Sequence, residues 1–184
     1  MSRANERDFL ATIQHHVARL SVGASAARGQ GVPDVVRKAR SYLAADLPLR
    51  RFGVRGARSF NAALDRETVR LQRVLPRGAQ SWGMARKLLN IFLRNALYTG
   101  YLREAYHLDA AKELYEVPLD SIVAKELRRG VGRGELPRWP GVKYLRREVS
   151  DQYQAEALRR AGELGTERVH LDAYWWGGPR TPAA

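Results

Sequence analysis

The stretch Trp82–Tyr106, WGMARKLLNIFLRNALYTGYLREAY, decides how the rest of the chain is read. Wound as a helix, it places Met84, Leu88, Ile91, Phe92, Leu97, Tyr101 and Leu102 around most of its circumference, the pattern of a central helix surrounded by other elements. Weaker amphipathic stretches lie on both sides. Upstream, Phe9, Leu10, Ile13, Val17 and Leu20 fall at helical spacing behind a capping Asn5. Pro33-Asp34 opens a second helix that ends at Leu47-Pro48, and a third from Ser59 is stopped by Leu75-Pro76-Arg77-Gly78. Downstream, Pro118 opens a helix over Val117 to Arg129, a glycine- and proline-rich loop covers Gly130 to Gly141, and a helix follows from Tyr144 to Leu164. The stretch Arg168 to Trp176 fits a helix or a short strand. Nothing alternates with period two or repeats at fixed length, so the fold expected is all-α.

The composition narrows the function classes. The 184 residues carry a net charge of +13, so the surface attracts polyanions, because neutralising phosphates releases condensed counterions. There are no cysteines, which removes disulfides, thiolate metal sites and thiol catalysis. The start, MSRANERDFL, lacks the apolar core of a secretory signal, and no stretch is apolar enough to span a bilayer, so a cytoplasmic protein without a membrane partner is expected. His15 and His16 are adjacent and point in different directions on a helix, so they do not form a metal pair, and no metal or cofactor is called for.

Arginine is the default cation, and the five lysines stand out against it. Lysine can lose its proton and act as a nucleophile, whereas arginine suits bidentate phosphate contacts. Lys87 opens the most apolar helix, where burial and the positive end of the helix dipole both disfavour the ammonium. Two readings stand: a free amine able to attack an electrophilic carbon, or a clamp aimed at a phosphate. Asp120 falls in the first turn expected after Pro118, where a carboxylate is either a helix cap or a charge presented to a site.

Taken together, these segments resemble the helix–hairpin–helix DNA glycosylase superfamily. The matching parts are Leu75-Pro76, then Ala85-Arg86-Lys87 with Asn90 one turn on, then Val117-Pro118-Leu119-Asp120. The 33 positions between Lys87 and Asp120, and the four between Asp172 and Trp176, look most like the compact archaeal 8-oxoguanine glycosylase branch. A clean Gly-x-Gly hairpin is missing, and Arg77-Gly78-Ala79-Gln80-Ser81-Trp82-Gly83 stands in its place. The resemblance runs from about Leu75 to Trp176 and implies a compact two-lobed helical bundle, with lobes at residues 1–56 plus the C-terminal segment and 57–145.

It further implies a monomeric DNA glycosylase with lyase activity. The partner would be double-stranded DNA carrying a damaged base such as 8-oxoguanine, in repair, or a hypermodified base of the phage type, in defence. Lys87 would form the Schiff base and Asp120 would stabilise the charged sugar. Gln14, Asp172 and Trp176 would line the base pocket, and Arg86, Arg138, Trp139, Lys143 and Arg147 would contact DNA. Trp139, on a rigid loop between Arg138 and Lys143, fits a wedge. The competing expectation is a basic DNA-binding protein without catalysis.

Overall fold

The computed structural model describes residues 3–27 and 31–177, and the side chain of Trp176 lies outside what it describes. Among the described residues every regular element is a helix or a helical turn. None of these helices is long and apolar enough to cross a membrane.

Helix α4, Trp82–Tyr98, is the axis of the molecule. Ser81 begins it by accepting a hydrogen bond from the Met84 amide at 3.3 Å. Around it pack α1 (Arg3–Ser21), α3 (Ala57–Val74), α5 (Gly100–Ala105) and α7 (Arg147–Glu163). Leu88, Leu89, Phe92, Leu93 and Ala96 are sealed from solvent, as the all-round apolar pattern requires. One stripe of α4 is not sealed: Lys87, Ile91, Arg94, Asn95 and Tyr98, a spacing that keeps all five on one face.

The expected helix to Tyr106 breaks in two. Thr99 is extended (φ −88°, ψ 108°), its hydroxyl donates to the Asn95 carbonyl at 2.8 Å, and α5 starts again at Gly100. The second helix is also shorter than expected. Asp34 adopts a left-handed conformation (φ 67°) and makes no cap hydrogen bond, so α2 spans only Val35–Ser41 and widens into a π-helical turn, Tyr42–Asp46. Asp34 pairs with Arg37 at 3.0 Å instead.

Two 3₁₀ turns, Leu49–Phe52 and Leu108–Leu114, close the N-terminal core. Beyond them, α6 (Ser121–Arg129), a 3₁₀ turn at Val142–Tyr144, α7, a turn at Arg168–His170 and α8 (Leu171–Gly177) complete the chain. The buried side chains form two clusters. The larger draws on α1 to Tyr115 with Val169; the smaller runs from Val117 to Leu171 and centres on Leu127, Tyr153 and Ala157. Along the chain, the buried side chains pass from the larger cluster to the smaller near residue 116. The boundary between the clusters is where α4 turns its unsealed stripe outward.

Candidate active site

A cavity of about 450 Å³ opens along that stripe. One wall is Lys87, Ile91, Arg94, Asn95 and Tyr98 of α4; a second is the end of α1 with Ser25 and Ala26; the third is Pro118, Asp120, Asp172 and Ala173. The volume is that of a pocket able to enclose a small organic group. Lys87 and Asp120, far apart in the chain, thus line one cavity together with Asp172.

Asp120 reaches it through a strapped segment. Glu116 is buried and takes Arg86 Nε and Nη2 at 2.8 and 2.7 Å and Asn90 Nδ2 at 2.9 Å. Burial raises the Glu116 carboxyl, but Arg86 and Asn90 together outweigh that and hold it below the usual carboxylate range. The Gln154 amide on α7 brackets Val117, donating to its carbonyl at 2.8 Å and accepting from its amide at 3.2 Å. Arg168 donates to the carbonyls of Leu114 and Tyr115. Held at these points, residues 114–119 run to Asp120, whose Oδ1 accepts from the amides of Ile122 (2.9 Å) and Val123 (3.0 Å). Asp120 is therefore the N-cap of α6, one position outside the first turn where the sequence reading placed it.

Glu116→Ala would leave the Arg86 guanidinium buried without its bidentate partner. The expected cost is about 3–5 kcal/mol of unfolding free energy, measured by urea denaturation. A loss under about 1 kcal/mol would show that Asp65 alone compensates Arg86.

Lys87 is partly buried, while the other lysines, Lys38, Lys112, Lys125 and Lys143, are exposed. Asp172 is buried and ion-paired with Arg94, whose side chain is itself largely covered. Burial pulls the Arg94 guanidinium below its ordinary value, and nearby Tyr98 and Asp120 oppose this. At the far end, the Tyr98 ring stacks on His170 (centroids 5.5 Å apart, planes 17° apart) and its hydroxyl lies 2.8 Å from His170 Nδ1. The formal charges of Lys87 and Arg94 balance those of Asp120 and Asp172, so the cavity suits a polar uncharged group better than a phosphate.

Several residues expected at the site lie elsewhere. Gln14 is buried on α1 and its amide donates to the carbonyls of Leu43 and Leu47, tying α1 to the π-helical turn and not lining the cavity. Arg86 is not a DNA contact: it is buried and bound to Glu116, Asp65 and Thr68. Arg147 pairs with the same Asp65 and stiffens the joint between α3, α4 and α7. Trp139 is half-buried with its ring edge-on to Tyr153, 5.3 Å between centroids, and also lines a surface groove with Lys125, Arg128 and Arg129. Arg138 and Lys143 are exposed.

Arg94, Asn95, Tyr98, Ser21 and Ser25 line the cavity and were not singled out from sequence. Arg94 and Asn95 carried a signal, since adjacent polar residues deep in an apolar helix require a polar environment.

A larger cleft of about 730 Å³ lies between α1 and α2. Its Arg40 already donates to the carbonyls of Val22 and Arg19, and Asp34 is paired with Arg37, so its polar groups serve the fold. Comparison with protein-family models, with curated proteins and with solved structures finds no match.

Proposed function

We propose that this chain is a DNA glycosylase with lyase activity. The observation that carries the reading is the convergence of Lys87 and Asp120 on one open, charge-balanced cavity in a strongly basic chain. A target base extruded from the duplex enters the cavity while the phosphates stay outside on the arginine-rich surface. As the N-glycosidic bond breaks, its electron pair leaves with the base, and the Asp120 carboxylate stabilises the positive charge growing on the sugar. The Lys87 amine bonds to C1′ and, after loss of a proton and ring opening, forms an iminium. Loss of a C2′ proton then expels the 3′ phosphate. Water then hydrolyses the remaining imine, which releases the sugar as an aldehyde and returns the Lys87 amine.

The shape of the cavity supports a hypermodified base over a merely oxidised one. At about 1.5 Å of rise per residue, the stripe from Lys87 to Tyr98 runs roughly 16 Å, well past the reach of a bare purine. Among its polar walls Arg94 pairs with Asp172 and Asn95 donates to Ser21, so a hydroxyl-rich substituent would meet Ser25 and the spare donor and acceptor positions of that network.

The test is borohydride reduction of the wild-type protein on abasic duplex DNA, beside a screen for base release from oxidised, alkylated, deaminated and glycosylated DNA. A covalent protein–DNA adduct and release of a bulky modified base are expected. DNA binding that weakens with salt, with neither adduct nor base release, would return the chain to a non-catalytic binding protein.

A further inference from the structure

The α4 stripe that lines the cavity continues one turn towards the N-terminus, to Gly83. A side chain could not stand there: a Cβ on Gly83 would fall 2.3 Å from the Val142 carbonyl oxygen and 2.6 Å from Leu145 Cβ. The turn Val142–Tyr144 is thus pressed onto α4 one helical turn from Lys87, on the same face. It carries Tyr144, which is 68% exposed, the most outward of the described aromatic rings. Lys143 lies over this ring at 5.9 Å, and the exposed Arg146 follows. Together they edge a shallow groove with Gln80, Ser81 and Trp82. An exposed ring between two cations, fixed on rigid backbone beside the Lys87 end of the cavity, matches what a DNA strand presents: base faces to stack on and phosphates on both sides.

We propose that Tyr144, and not Trp139, is the side chain that stacks into the duplex where the target nucleotide leaves it, with Lys143 and Arg146 on the flanking phosphates. This rests on reading the chain as acting on extruded bases. Extrusion leaves a gap in the stack, and a ring that fills it holds the open state.

The experiment uses duplex DNA with a stable abasic analogue opposite 2-aminopurine, whose fluorescence falls when a ring stacks on it. The Lys87→Gln protein serves as background, so no chemistry intervenes. Binding should quench the fluorescence. Tyr144→Ala should remove the quench and weaken affinity roughly 5- to 100-fold, with the melting temperature unchanged because the ring is exposed. Tyr144→Phe should keep both signals. Lys143→Ala should weaken binding, flatten its salt dependence and keep the quench. If Tyr144→Ala binds and quenches like its parent, or if Trp139→Ala alone removes the quench, the assignment is overturned while the Lys87 chemistry stands. If quenching depends on Tyr144 but the wild type forms no borohydride adduct, the stacking role holds and the catalytic reading falls.

Discussion

Lys87→Gln is expected to abolish borohydride trapping outright, and Lys87→Arg is expected to abolish it equally. The pair separates the two roles open to this lysine. A phosphate clamp needs a cation, which arginine supplies, so under that reading Arg restores what Gln loses. A nucleophile needs an amine that can shed its proton, and neither replacement has one. Lys87 differs from the remaining lysines in position, because it lines a cavity where the sugar of an extruded nucleotide would come within reach of an amine, while they stand on open surface. The side chain is only partly buried, so both variants should stay within about 1 kcal/mol of wild-type stability. Gel analysis after reduction measures the adduct directly. Trapping at wild-type level in both variants would remove Lys87 from the mechanism.

The other large effect is expected at Asp120. Its Oδ1 caps α6 through two amides, so a loss of activity on substitution could arise from a frayed helix and not from a missing charge. Asparagine resolves this, being as good an N-cap as aspartate while carrying no charge. Asp120→Asn should keep the melting temperature and slow base excision by about 10²- to 10³-fold, the scale of one focused electrostatic contribution. Asp120→Ala should lose that and about 1 kcal/mol of stability besides. Binding to DNA already lacking the base should be nearly unchanged in Asp120→Asn, because no charge develops there. Normal excision by Asp120→Asn would make the residue a cap and nothing more.

The helices and their order were legible because helical spacing is a local property. The apolar pattern of α4 identified the central helix, and the lone lysine within it drew attention to Lys87 before any tertiary contact was known. Asp120 drew attention for a related reason, since a proline with an aspartate two residues on marks a helix start, although the extended backbone at Asp120 moved it from the first turn to the cap. Local signals failed where a polar side chain had two destinations of equal chemistry. Arg86 and Lys87 are neighbours on one helix, yet a 100° turn sends Arg86 into the Glu116 pair and Lys87 into the cavity. Gln14 could as well have read a base as cap the carbonyls of Leu43 and Leu47. Trp139 and Tyr144 sit five residues apart in one basic stretch, and only the packing of Tyr153 and α4 decides which ring turns inward. The sequence alone determined the helical periodicity and the candidate residues, because each is written within a few neighbouring positions, and the net positive charge, which is a sum over the chain. Tertiary structure decided which of those residues meet, because a partner 30 positions away, as Glu116 is from Arg86, leaves no mark on the local pattern and is chosen only by how the helices pack.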